Sequence, residues 1–135
     1  MNLSQVDRIS TAGIAKRGET YFAALRIAGT SIGESWEFPG GKNRLDERPE
    51  ETLSREFLEE FNVTISVGAM VYEGYFENKN KKYGLMAFLI NFMEEEPAFD
   101  LIEHQKVAWL SLEELSTLPM AESDRAILQA LSETC

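Results

Sequence analysis

Residues 41–63 read GKNRLDERPEETLSREFLEEFNV, and this stretch decides how the rest of the chain is interpreted. Pro49 suits the first turn of a helix, where its missing N–H would have no partner anyway. Leu53, Phe57 and Phe61 recur at steps of four, so the spacing predicts a helix over 49–61. Asn62 tolerates the left-handed conformation that ends a helix. At about 100° per residue, Glu56, Glu59 and Glu60 fall within one sector roughly 100° wide beside the apolar stripe. Three carboxylates on one face repel one another, by a few tenths of a kcal/mol per pair, and the helix carries no lysine to neutralise them. A cation is therefore expected. Magnesium is the natural one, since it takes carboxylate oxygens, keeps several waters and bridges to phosphate, with manganese as the alternative. Arg55, four residues before Glu59, can pair with it and orient it. Gly40 and Gly41 let the loop backbone approach a phosphate or metal closely.

Outward from this segment, 9–15 and 20–27 flank Arg17-Gly18-Glu19 and predict a hairpin. Residues 28–35 form a loop, and Trp36-Glu37-Phe38 is a short extended piece ended by Pro39-Gly40-Gly41. After the helix, 63–67, 69–76 and 83–93 read as strands, the last two joined by the polar tip 78–81. A short strand covers 107–110. Ser111 and Glu114 form a capping box opening a short helix, and a final helix starts near Ser123 and carries Ile127, Leu128 and Leu131.

The chain has 135 residues, enough for one domain with its own core, and we expect a single domain over 1–135. Apolar residues are spread along its length with no block long enough to span a bilayer, and the first ten residues lack the pattern of a secretory signal, so the expected compartment is the cytoplasm. Cys135 is the only cysteine, which excludes an internal disulfide or a cysteine zinc cluster. Thirteen Lys and Arg against twenty-three Asp and Glu leave a formal charge of −10, which argues against a nucleic-acid polymer as partner. A small phosphorylated ligand is compatible with that charge, because a bound cation reverses the local field where the acids converge. Oligomeric state is not legible.

The stretch 41–63 resembles the signature of the Nudix hydrolase family: glycine, five residues, Glu, seven residues, then Arg-Glu-apolar-x-Glu-Glu-x-Gly-apolar. Gly41, Glu47, Arg55, Glu56, Phe57, Glu59, Glu60 and Val63 match, and Asn62 replaces the family's glycine. The six fixed positions would coincide by chance about once in ten million starts. Trp36 to Lys42 and the tail from Glu103 through Trp109 to Asp124 are similar to the MutT-like branch. The resemblance implies an α+β fold, an α/β/α sandwich around a mixed sheet. It also implies a magnesium-dependent nucleoside triphosphate pyrophosphohydrolase, in which activated water attacks a phosphorus and releases a monophosphate and pyrophosphate.

By the same resemblance, Glu56, Glu59 and Glu60 bind the metal together with the Gly40 carbonyl and Glu103, Arg55 belongs to the catalytic set, and Gly41 and Glu47 support the loop. Arg26 and Lys42 contact phosphate, and Phe38 and Asp124 line the base pocket. Other readings stand beside these. Glu103 fits a surface loop, and Asp124 fits a favourable charge in a first helical turn. Lys79, Lys81 and Lys82 suit a solvated hairpin tip better than a phosphate site, and Glu94-Glu95-Glu96 reads as a charged loop. His104 has no second histidine and is assigned no catalytic role, while Trp36 and Trp109 read as core or wall. The expected ligand is a nucleotide, either an oxidised or modified deoxynucleoside triphosphate or a CTP-like one. ADP-ribose, a dinucleoside polyphosphate, or a non-catalytic nucleotide sensor are the alternatives.

Overall fold

The computed structural model describes residues 6–27 and 34–133; most of the expected loop at 28–35, and Cys135, lie outside them. In chain order the elements are β1 (Arg8–Ile14), β2 (Lys16–Arg17), β3 (Thr20–Arg26), β4 (Trp36–Glu37), α1 (Pro49–Phe61), β5 (Ile65–Asn78), β6 (Lys81–Phe92), β7 (His104–Ser111), α2 (Leu112–Ser116) and α3 (Glu122–Glu133). The strands form two sheets. One has the order β1-β6-β5, and in the other β3 pairs with β2, β4 and β7.

Alternation along the central strands explains the sandwich. On β3, Phe22 and Ala24 face the α1 side, while Tyr21, Ala23 and Leu25 join the core beneath α2 and α3. On β6, Met86, Phe88 and Ile90 point one way, and Leu85 and Ala87 the other. Leu53, Phe57 and Phe61 of α1 are fully buried on the first side, and Ile127, Leu128 and Leu131 of α3 on the second. Both faces are thus covered by helices, giving the expected α+β sandwich around a mixed sheet.

Helix α1 has the predicted bounds, and Asn62 caps it at φ 57° and ψ 40° with its N–H donating to the Leu58 carbonyl. The Ser111–Glu114 capping box is present, with both reciprocal hydrogen bonds at 2.9 and 3.1 Å. The 78–81 tip is a two-residue turn, with Lys79 and Asn80 at φ 51° and 65°, the left-handed geometry that matches strand twist.

Three expectations are corrected. The first hairpin is confined to Lys16–Arg17 against Thr20–Tyr21; β1 itself pairs parallel with β6, from Arg8 opposite Tyr83 to Ile14 opposite Leu89. A local turn signal identifies only its own closing residues, whereas β1 finds its partner through burial of both faces. Residues 63–67 and 69–76 are not separate strands either. β5 runs through Gly68 with register shifts between Val67 and Tyr72, so the glycine marks an irregularity within a strand. Finally, β7 begins at His104, three residues before the predicted strand at 107–110, because it follows β3 to its end.

Candidate active site

The segment after β4 is stitched along the free edge of β1. Gly13 N–H donates to the Pro39 carbonyl at 2.7 Å, Thr11 N–H to Gly41 at 2.8 Å, and Asn43 N–H to Ile9 at 2.9 Å. This contact explains the two glycines. A Cβ at Gly40 would collide with the Thr11 carbonyl, and one at Gly41 with the Glu56 carboxylate. Their smallness therefore serves close approach within the chain itself: strand to loop at Gly40, loop to acidic helix at Gly41.

Arg55 is the hub of the loop and helix. Its Nε donates to Glu47 Oε2 at 2.6 Å and its Nη2 to Glu47 Oε1 at 2.9 Å, a bidentate pair. Its Nη1 reaches Glu56 Oε1 at 2.9 Å and Glu59 Oε2 at 3.1 Å. Glu47 also accepts from Arg44 N–H and the Thr52 hydroxyl. The Arg55 hydrogen bonds, chiefly, hold the Glu47 carboxyl down at about 2, and Glu47 in turn raises the Arg55 pKa. The loop is thus fastened by an ion pair whose side chains are only 17% and 15% exposed.

The three helix carboxylates do not share one environment. Glu59 is exposed and paired with Arg44 at 3.0 Å as well as with Arg55. Protein cations therefore answer part of the repulsion that the helix pattern displays. Glu60 is only 3% exposed. Burial, followed by the charges of Glu37, Glu56 and Glu103, pushes its carboxyl up to about 10. Its Oε2 is buried without a hydrogen-bond partner. Glu56, Glu60 and Glu103 bring one oxygen each to within 4.8 Å of one another. An all-oxygen set around a buried, repelled carboxylate suits a hard divalent cation, which would satisfy the orphan oxygen and offset the repulsion. Glu103, forty-three residues after Glu60 in the chain, reaches the cluster from the start of β7.

Beside this cleft lies a cavity of about 290 Å³ whose lining includes Thr11, Phe38, Phe76, Asn78, Asp124 and Ile127. Arg26, Gly40, Gly41 and Lys42 line both spaces and form the shared wall. Lys42 is exposed, with Nζ 4.8 Å from the centre of the Tyr83 ring. Asp124, in the first turn of α3, accepts from Phe38 N–H at 3.0 Å, and burial pushes its carboxyl up to about 8. Its side chain thus helps fix β4 while it lines the cavity. Lys82 lies over Tyr75 on the hairpin, and Lys79 and Lys81 are exposed at its tip.

Two residues linked to Arg26 of this wall are not marked by any motif in the sequence. Glu37 accepts from Arg26 Nη1 at 3.2 Å and sits 2.7 Å from His104 Nε2. His104 is buried, stacked on Phe61, and 3.9 Å from Glu60 Oε1. The alternation of Trp36-Glu37-Phe38 places Glu37 opposite two buried aromatic neighbours, which was the available signal. No second histidine accompanies His104, and its neighbours are carboxylates on other elements, Glu37 in β4 and Glu60 in α1.

The NUDIX domain model matches residues 8–131. The CTP pyrophosphohydrolase of Escherichia coli is 31% identical over 119 residues, covering 88% of this chain and 87% of that protein. A putative 8-oxo-dGTP diphosphatase 2 of Mycobacterium tuberculosis is 27% identical over 132 residues, 96% of this chain and 91% of its own. Among solved structures, the E. coli ORF135 protein superposes with a TM-score of 0.83 at 30% identity, covering 96% of this chain and 91% of that one. Among the described residues no helix is long and apolar enough to cross a membrane.

Proposed function

This chain belongs to the Nudix family and is a hydrolase of its MutT-like kind; from that premise we propose that it is a magnesium-dependent nucleoside triphosphate pyrophosphohydrolase. Its products would be a nucleoside monophosphate and pyrophosphate. One observation carries the reading: a carboxylate cleft and a deeper, partly apolar pocket share a wall that bears Arg26 and Lys42. A nucleotide laid across that wall would place its base against Phe38 and Asp124 and its phosphates beside the two cations. The curated relatives act on CTP and on 8-oxo-dGTP by name, which supports a triphosphate of cytosine or of an oxidised purine.

Glu56, Glu60 and Glu103 would hold the metal, with Glu59 and the Gly40 carbonyl as further candidates. When bound, the cation would lower the pKa of water and neutralise charge on the phosphates. Arg55 would keep Glu56 and Glu59 oriented through the bonds described above, and Glu47 would keep Arg55 in place. Arg26 and Lys42 would bind phosphate oxygens and stabilise the leaving group. Asp124 would meet the base edge with the oxygen it does not use on Phe38.

The test is a panel of CTP, 5-methyl-dCTP, 8-oxo-dGTP, ADP-ribose and a dinucleoside polyphosphate, incubated with magnesium and followed for pyrophosphate and monophosphate. Turnover of a triphosphate, lost in Glu56→Gln, is expected. Binding across the panel without turnover would replace the enzyme by a sensor, and preferential cleavage of ADP-ribose would move the substrate to another class.

A further inference from the structure

From Arg26 in the wall between cleft and pocket, at the end of β3, a chain of side chains runs through Glu37 in β4, which lines the pocket, to His104 at the start of β7. Arg26 and His104 stand opposite each other in the ladder, just past a register shift at which β7 carries one extra residue, Gln105, between the partners of Leu25 and Arg26. The two Glu37 oxygens are divided between them. Oε1 accepts from Arg26 Nη1 at 3.2 Å, and Oε2 faces His104 Nε2 at 2.7 Å.

Glu37 offers an acceptor, so Nε2 must carry the proton and donate. The ring cannot easily turn away, because it has no exposed side-chain surface and stacks on Phe61 at 5.0 Å between centroids. Nδ1 is buried without a partner and Glu60 Oε1 lies 3.9 Å from Nε2, beyond hydrogen-bond reach, which leaves Glu37 as the ring's hydrogen-bond partner among the described residues. Arg26 has no comparable anchor of its own: its Nε is also buried without a partner, and Glu37 is its ion-pair partner.

We propose that His104 is a positioning residue, which holds Glu37 so that Glu37 fixes the Arg26 guanidinium toward the phosphates. The inference rests on the reading of Arg26 as a phosphate contact. By occupying Oε2, His104 keeps Glu37 from closing on Arg26 as a bidentate pair, and the remaining Arg26 N–H groups stay available to a ligand. An arginine needs such control more than Lys42 does, since a planar guanidinium recognises phosphate only in a fixed orientation.

Steady-state kinetics on the triphosphate turned over, with the intact protein, test this together with side-chain NMR of the Arg26 Nε–H group. His104→Leu fills the space without a donor and is expected to raise KM about tenfold with kcat little changed. His104→Gln can restore the donor and should recover most of the affinity. Combining His104→Leu with Arg26→Ala should cost no more than Arg26→Ala alone, and the Arg26 signal should become mobile in His104→Leu but not in His104→Gln. Glu37→Gln, whose single carbonyl oxygen can accept from Arg26 or from His104 but not hold both, breaks the link either way and should show the same rise in KM and the same mobility, so the test survives if His104→Leu does not fold. An unchanged KM in both His104→Leu and Glu37→Gln, or losses that multiply with Arg26→Ala, would overturn the proposal while leaving the Arg26 reading intact. An unchanged KM in Arg26→Ala would overturn the phosphate reading of Arg26, and this proposal with it. If no triphosphate is turned over, an Arg26 signal as rigid in His104→Leu as in the parent protein overturns the positioning role.

Discussion

The two adjoining cavities are built in opposite ways. Apart from Arg8, Arg26 and Glu103, every residue lining the carboxylate cleft comes from the contiguous stretch 40–60. The pocket beside it draws on β1, β3, β4, β5, β6 and α3, from Ser10 to Ile127. The cleft is held by charge-assisted bonds within one loop and helix, whereas the pocket exists only where distant strands and a helix end converge. Chemistry encoded locally can persist while the pocket around it changes. This fits the names of its relatives, one a CTP pyrophosphohydrolase and another a putative 8-oxo-dGTP diphosphatase.

The largest effect that would sharpen this contrast is expected at Glu60. Glu60→Gln should lower kcat by roughly 10²–10³, judged by pyrophosphate release. In metal-free buffer at pH 8 folding of the parent must also take up a proton at Glu60 that the unfolded chain has released, a cost that Gln does not carry, so the variant should be the more stable of the two, by about 1 kcal/mol or more, and melt higher. A fall in melting temperature would show that Glu60 is a structural group and would break the contrast.

Arg55→Ala comes next. It leaves Glu47 and Glu56 without their common partner, and an expected loss of about 3–5 kcal/mol is readable by urea unfolding. A loss below about 1 kcal/mol would mean that the loop is held mainly by its backbone bonds to β1.

On the pocket side, Asp124→Asn should change KM by about tenfold or less, with different factors for cytosine and oxidised-guanine triphosphates. It also carries a pH signature. Folded Asp124 keeps its proton up to about pH 8 while the unfolded chain releases it near 3.8, so the folded state binds the extra proton between those values. Its contribution to stability is full below about pH 4 and lost as pH rises toward 8. Asp124→Asn should lack that decline, and the gap between the two proteins should widen with pH in unfolding measured from pH 5 to 9. A constant gap would show that folded Asp124 holds no proton that the unfolded chain releases.

Lys79→Ala should do least, within about 0.5 kcal/mol in stability and with KM unchanged, because the side chain sits exposed at the hairpin tip. A several-fold rise in KM would extend the pocket to that tip.

Legibility followed the same division. The periodicity of Leu53, Phe57 and Phe61, the proline at the helix start and Asn62 at its end specify α1 to the residue, because each acts through neighbours in the chain. Arg55 reaching Glu59 four residues on was equally readable. Arg44 reaching Glu59 was not, since it depends on how the loop folds back over the helix. The parallel pairing of β1 with β6 was likewise hidden, because the nearby turn signal at Gly18 favours the neighbouring strand.

Short-range sterics, periodicity and charge spacing specify an acidic helix of defined length, the glycines before it and the arginine that orients its carboxylates, and all of these are legible along the chain. Packing of the sheets and helices buries Glu60 and leaves Glu59 paired at the surface, brings Glu103 to Glu56 and Glu60, and lets Glu37 link Arg26 to His104. Those outcomes depend on burial and on which strands lie side by side, and both are properties of the packed sheet, not of any segment read alone.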